Sequence, residues 1–310
     1  MDPIIDAHGH LGDILEPDGG RLIEATGVAM APIFDPAAYG ERRLHRAPLG
    51  PARVAYRLLR TPITRAERAR NATATLENFR ASLDATGIAR AVCLPVPPHV
   101  TFADLRAAAE RDPRIIPFTG VDYGNAEDPG ADLAAHVRAG ARGLKLHPII
   151  QKVPLTSAAT RAAVESFAPH ELPVLFHCGI SSYYLGAERR REEPRYGAIE
   201  PAEALVRDFP RVRFIAGHAG LFQVKRVMAR LGALPNVWVD TSFQPPERVR
   251  RLIEVFGPER VLFASDWPYG NRPPALAIVR EACRGDRSLE RRLLFENAAE
   301  LLRLEPAPVA

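Results

Sequence analysis

From residue 88 to residue 266, short β-rich apolar runs alternate with Ala-, Arg- and Glu-rich stretches of helical length. The runs cover residues 88–95, 115–121, 141–147, 172–177, 212–218, 236–242 and 260–266. Helical patterns fill 101–111, 128–139, 157–169, 199–209, 221–231 and 246–256. With the opening run at 3–8 there are eight expected strands. Strands joined through helices lie parallel, because the crossover carries the chain back to its starting edge, and such crossovers are right-handed. Eight of these units in a chain of 310 residues match the size of a closed barrel. An open doubly wound sheet competes with it, but that fold usually shows a Gly-rich phosphate loop after its first strand. Here the first strand runs into Ala7-His8-Gly9-His10. The expected fold is therefore α/β, a (β/α)8 TIM-type barrel.

One connection breaks the rhythm. Residues 11–72 form a long Gly-, Pro- and Arg-rich insertion after the first strand, with helical patterns near 53–60 and across 64–85. Loops of this length inside a domain are usually lids or partner surfaces. The expectation is a single barrel domain over 1–304, with 11–72 inserted as a lid or partner surface and 305–310 as a tail.

Composition narrows the class. Hydrophobic residues at 46% and charged residues at 25% are ordinary globular usage, and exclude a disordered or collagenous chain. The longest stretch without Asp, Glu, Lys or Arg, 172–187, is too short to span a bilayer. The opening Met1-Asp2-Pro3-Ile4-Ile5-Asp6 lacks the basic, then apolar, pattern of a secretory signal. Three widely spaced cysteines, Cys93, Cys178 and Cys283, argue against a disulfide framework. A cytoplasmic protein is expected. The net charge of +4 is mild, but residues 41–80 carry ten arginines against three glutamates. No nucleic-acid-binding module accompanies them. They read as a solvated or oligomer-facing surface, or as a field steering an anionic substrate. The partner expected is a small molecule, neither nucleic acid nor membrane, with homo-oligomerisation left open.

Chemistry concentrates at the strand ends. His8 and His10 stand two residues apart, so strand alternation puts both imidazoles on one face, where they can share a metal ion. Alternation also puts Asp6 on that face. His147, His177 and His218 each close a different run, and Asp266 closes the eighth. In a barrel all these ends meet at one mouth. Plain readings exist for each: His177 as a core histidine, His218 as a cap of the next helix, Asp266 as a turn aspartate. Lys145 and His147 share one face of the fourth run. Lys145 is a candidate for holding a substrate carboxylate or for an ion pair with Asp6 or Asp266.

The motifs Ile5-Asp6-Ala7-His8-Gly9-His10, Gly143-Leu144-Lys145-Leu146-His147-Pro148, Leu175-Phe176-His177-Cys178-Gly179, Ile215-Ala216-Gly217-His218-Ala219-Gly220 and Ala264-Ser265-Asp266-Trp267-Pro268, in this order, resemble the amidohydrolase superfamily. Within it they are most similar to the amidohydrolase-related branch of lactone hydrolases and of aminocarboxymuconate-semialdehyde and resorcylate decarboxylases. The resemblance runs from the first strand to the Glu296–Leu302 segment and leaves most of the insertion uncovered. It implies that His8, His10, His177 and Asp266 ligate one divalent metal, zinc before manganese. His218 would orient the attacking water or polarise the substrate oxygen, and Asp266 would move its proton. Carbamylation of Lys145, with His147 nearby, would add a second metal. Metal-activated water and a positioned carboxylate suit hydrolysis of a C–O or C–N bond in a lactone, ester or amide. Arg42, Tyr183 and Trp267 are candidate contacts to a carboxylated substrate. The alternatives are a non-oxidative decarboxylase on the same metal site and a catalytically inactive barrel acting as a binding or scaffold protein.

Overall fold

The apolar runs pair as eight parallel strands: β1 (Ile5–Asp6), β2 (Arg90–Cys93), β3 (Ile115–Pro117, resuming as Thr119–Gly120), β4 (Leu144–Leu146), β5 (Val174–Phe176), β6 (Phe214–Ala216), β7 (Val237–Asp240) and β8 (Val261–Leu262). A computed structural model of the chain describes residues 2–36, 38, 58–124 and 129–304. Each strand pairs with the next. Across the break in β3, Phe118 N donates to Cys93 O at 3.0 Å and Thr119 N to Gly143 O at 2.8 Å. The ring closes where Ala7 N donates to Phe263 O at 2.9 Å and Asp266 N to His8 O at 2.8 Å. The fold is a (β/α)8 barrel.

Alternation along the strands sorts two layers. Ile5, Ala7, Val92, Leu94, Ile116, Phe118, Leu175, Ile215 and Leu262 pack together inside the ring. Ala298 and Leu301 of the helix Asn297–Leu301 join them. Asn297 Nδ2 donates to Val261 O at 2.8 Å, so this helix plugs the barrel at the starts of the strands. Leu144, Leu146, Val174, Phe176, Phe214, Val237 and Val239 face outward into the helical layer. Burying each such side chain contributes roughly 1.5–3 kcal/mol. The inward positions left over at the strand ends are Lys145, His147, His177 and Asp240. These polar groups crowd the opposite, open end.

The ladders are shorter than the apolar runs, because the chain splays into loops where the strands end. His8, His147, His177, His218 and Asp266 therefore lie just past the ends of β1, β4, β5, β6 and β8. The helical pattern at 64–85 is two helices, Arg60–Asn71 and Leu76–Thr86. Thr75 separates them by capping the second: its Oγ1 accepts from Asn78 N at 3.1 Å. The pattern at 221–231 becomes a helix only from Val224. His218, Ala219, Gly220 and Leu221 all have positive φ, a run that no helix can include.

Both ends of the insertion pack on the barrel. Leu11, Ile14, Leu15 and Ile23 are buried in the outer core, and the helix Arg60–Asn71 buries Ile63 and Ala66. Residues 39–57, which include Arg42, and the tail 305–310 lie outside the described residues. Later arginines of the basic stretch are ion-paired: Arg68 with Glu16 and Glu188, Arg70 with Asp35, Arg80 with Asp112. Among the described residues no helix is long and apolar enough to cross a membrane. The three cysteines are buried and free.

Candidate metal centre

At the mouth, His8 and His10 are locked by the same device. His8 Nδ1 lies 2.8 Å from Asp240 Oδ2, and His10 Nδ1 lies 2.9 Å from Leu94 O. A carbonyl only accepts, and so does an ionised carboxylate, so both Nδ1 atoms carry the proton and both Nε2 atoms keep a lone pair. Each Nε2 is 3.4 Å from Asp266 Oδ1. That oxygen is buried and, among the described residues, has no hydrogen-bond donor. A buried carboxylate oxygen left without a donor needs another source of positive charge.

Two donor sets are close enough to share an ion: His8, His10 and Asp266, and His8, His218 and Asp240. Their hydrogen bonding separates them. Asp240 spends Oδ2 on His8 and Oδ1 on Ser242 Oγ at 2.6 Å, so its oxygens are already occupied. The first set has two unprotonated imidazole nitrogens, that of His8 lying 3.5 Å from Lys145 Nζ, and one orphaned carboxylate oxygen. Ligand atoms about 2.1 Å from a tetrahedral ion stand about 3.4 Å from one another, which is the spacing found here between Asp266 and both histidines. His8, His10 and Asp266 fit a divalent ion and would leave an open coordination position.

Burial sets the charges. It holds His8 and His10 well below the usual imidazole range, and the Lys145 ammonium adds to the effect. Burial likewise lowers His147 and His218, with the adjacent His177 and His8 rings respectively adding to the effect. The imidazoles are thus neutral, the form that ligates. Burial pushes Asp266 well above the carboxylate range, against the pull of Lys145. Lys145 is itself lowered to about 8 by burial, with Asp266 and Asp240 opposing. Its Nζ lies 3.5 Å from His8 Nε2. A dication at the first set would favour the neutral amine further.

His218 joins this group from β6. Its ring centroid is 4.5 Å from that of His8, and its Nδ1 is 2.9 Å from Ser242 Oγ and 3.6 Å from Asp266 Oδ2. Three side chains here sit on left-handed backbone: His218 (φ 57°), Phe243 (φ 60°) and Asp266 (φ 58°), each following a different strand. Non-glycine residues are rarely found there, and such strain collects where a site must hold a set geometry. Gln244 Nε2 helps by donating to His218 O at 2.7 Å.

The other candidates fall in two places. His147 stacks on His177 with centroids 4.6 Å apart and planes 19° apart. His177 is 5.0 Å from the His218 ring, but its Nε2 donates to Gly179 O at 2.9 Å and its Nδ1 faces Tyr183 Oη at 3.3 Å. With both nitrogens occupied, His177 stands outside the two donor sets. Tyr183 covers this pair, 5.5 Å from His147 and 6.2 Å from Tyr269. Trp267 turns away to pack against Phe79 at 5.4 Å and Arg272 at 5.1 Å, while its carbonyl accepts from His10 N at 2.7 Å.

Asp6 does not share the face of His8, contrary to simple alternation. The regular strand ends at Asp6, so strict alternation does not carry on to His8. Asp6 points into the helical layer, where Oδ2 accepts from Arg272 Nε at 3.0 Å and from Ser265 Oγ at 2.6 Å. Sequence reasoning also passed over Asp240, Ser242 and Tyr269. Asp240 was findable: Trp238 packs on the inner cluster, so alternation turns Asp240 inward at the last position of β7.

Comparisons with known proteins bear on the fold and the family. Among solved structures, a 5-carboxyvanillate decarboxylase from Novosphingobium aromaticivorans, complexed with manganese and 4-hydroxy-3-methoxy-5-nitrobenzoic acid, superposes with a TM-score of 0.66 at 16% identity, over 98% of this chain and 96% of that one. A 2-pyrone-4,6-dicarboxylic acid hydrolase candidate from Pseudomonas putida gives 0.61 at 21% identity, over 99% and 100%. An uncharacterised TIM-barrel protein from Bordetella bronchiseptica gives 0.63 at 17% identity, over 97% and 98%. At these identities the likeness speaks for the fold alone. No curated protein matches the sequence. The family model described as amidohydrolase, however, matches residues 5–304, nearly the whole chain. The chain belongs to the amidohydrolase family.

Proposed function

We propose that this protein is a metal-dependent hydrolase that cleaves a C–O or C–N bond, in a lactone, ester or amide, of a small carboxylated compound. The observation that carries this reading is the position of Asp266. One of its oxygens is orphaned beside His8 and His10, and the other lies 3.6 Å from His218. His8, His10 and Asp266 would hold the ion, zinc before manganese. When bound, the ion would supply a water of lowered pKa and polarise the scissile carbonyl.

The remaining work falls to the chain. Asp266 takes the proton of the attacking water and returns it to the leaving group. His218, held from below by Ser242, presents its other nitrogen to the water or to the substrate oxygen. Lys145, the buried amine nearest these groups, would donate a hydrogen bond to a substrate carboxylate. Arg68 and Arg191 are committed to Glu16, which leaves a substrate carboxylate to Lys145 as hydrogen-bond donor. Tyr183 packs beside His147 and His177, and Tyr269 beside His10, where both would help exclude water from the ion.

Non-oxidative decarboxylation is the second reading. It is favoured by the decarboxylase among the structural relatives, and by a donor set that could equally anchor a carboxylate. One assay panel separates the two: the zinc-loaded protein is given lactones, esters, amides and aromatic acids, and acid release and CO2 are both followed. Hydrolysis that disappears in Asp266→Ala supports the proposal. CO2 release without hydrolysis replaces it with the second reading, and a folded, metal-loaded protein that turns over nothing points to a binding role.

A further inference from the structure

Asp240 touches no bare lone pair of the ligand set, yet it reaches both halves of the site. Its Oδ2 faces His8 Nδ1 at 2.8 Å, and its Oδ1 accepts from Ser242 Oγ at 2.6 Å and from Ser242 N at 3.0 Å. Ser242 Oγ in turn is 2.9 Å from His218 Nδ1. Asp240, Ser242 and His8 are fully buried, and His218 is nearly so, so solvent does not compete for these contacts.

The protons can be counted. An ionised carboxylate only accepts, so the hydrogen between Asp240 and His8 sits on Nδ1. A serine hydroxyl has one proton, and the short contact to Asp240 Oδ1 claims it. Ser242 Oγ is left as an acceptor toward His218, so the hydrogen there sits on His218 Nδ1. Both imidazoles are thereby held in the same tautomer, protonated on Nδ1 and not on Nε2, and His218 Nδ1 also lies 3.6 Å from Asp266 Oδ2.

We infer that Asp240 is the positioning residue of this site, fixing the tautomer and ring orientation of His8 directly and of His218 through Ser242. The inference rests on the proposed function only in treating His8 as a metal ligand. One carboxylate would then set both the ligand strength of His8 and the base character of His218. Hydrogen-bonding partners of metal-bound histidines act in this way, and their loss typically weakens metal binding about 10–100-fold.

The test uses nitrogen-15 histidine-labelled full-length protein and two variants, Asp240→Asn and Ser242→Ala. Long-range nitrogen–proton NMR on the metal-free protein reads the tautomers, and competition with a chromophoric chelator reads zinc affinity. In the wild type, His8 and His218 should both be Nδ1-protonated. An asparagine amide can donate to His8 Nδ1 and drive its proton to Nε2, so Asp240→Asn should bind zinc about 10–100-fold more weakly. Ser242→Ala should release His218 from the Nδ1–H form while leaving His8 in it. The inference is overturned if wild-type His8 or His218 carries its proton on Nε2, if Asp240→Asn binds zinc as wild type does, or if Ser242→Ala leaves His218 unchanged. Should Asp240→Asn fail to fold, the wild-type and Ser242→Ala spectra decide. A wild type that binds no zinc but shows both Nδ1–H tautomers contradicts the metal reading and upholds the positioning one.

Discussion

Replacing Arg272 by leucine should be among the most damaging single changes outside the mouth. Arg272 and Asp6 are both fully buried and paired at 3.0 Å. The guanidinium also lies 4.6 Å from the Phe79 ring and 5.1 Å from the Trp267 ring. Arg272→Leu leaves the Asp6 carboxylate buried, still bonded to Ser265 but without a counter-charge. Breaking one side of a buried pair in this way costs about 3–5 kcal/mol. Adding Asp6→Asn removes the stranded charge while the amide oxygen can still accept from Ser265 N, so the double variant should recover about half of that loss. Urea unfolding followed by tryptophan fluorescence measures all three proteins. A loss below about 1 kcal/mol for Arg272→Leu would refute the reasoning, since that is the range of an ordinary substitution. A double variant no more stable than the single one would refute the charge argument specifically.

Other outcomes follow from the same physics. Arg114, through its hydrogen bond, holds Asp112 down to about 2, below the usual carboxylate value. A depressed carboxylate contributes stability above its unfolded pKa of about 3.9 and loses it as pH falls toward 2, so wild type should exceed Asp112→Asn by about 2 kcal/mol at pH 6 and converge on it in acid; a gap that is constant with pH would contradict this. Gly179 has φ +108°, and an added Cβ would stand 2.7 Å from Gly220 O, beside the strained His218 turn. Gly179→Ala should therefore cost about 2 kcal/mol or more in thermal or chemical unfolding, and a neutral result would show that the turn yields easily. Burial raises the thiol pKa of Cys93, Cys178 and Cys283, the last to about 12. The native protein should show no fast-reacting thiol toward an aromatic disulfide reagent and three after denaturation.

Much of this was readable from the chain because two periodicities carry it. Period-2 alternation in Leu144-Lys145-Leu146-His147 turns the leucines outward and Lys145 with His147 inward, and the structure has that order. Strand–helix alternation fixed the number of strands. It could not fix where their ladders stop, because hydrogen bonding ends before the apolar pattern does. Asp6 shows the cost: alternation carried past the end of β1 places it with His8, whereas it pairs with Arg272, 266 positions away. The tie between His8 and Asp240 spans 232 positions. Contacts of that range come from barrel closure, which no local pattern encodes. The left-handed turns at His218 and Asp266 were equally hidden, since neither residue type announces a positive φ.

Metal content decides the central claim. Elemental analysis of the wild type and of His10→Ala, both purified without chelator and then offered zinc, should give about one equivalent per chain in the wild type and a loss of it in the variant. His10 is the informative choice because its Nδ1 is anchored to Leu94 O rather than to another site residue. A wild type that takes up no metal, or a His10→Ala protein that retains it in full, would contradict the assignment of His8, His10 and Asp266 as the metal centre.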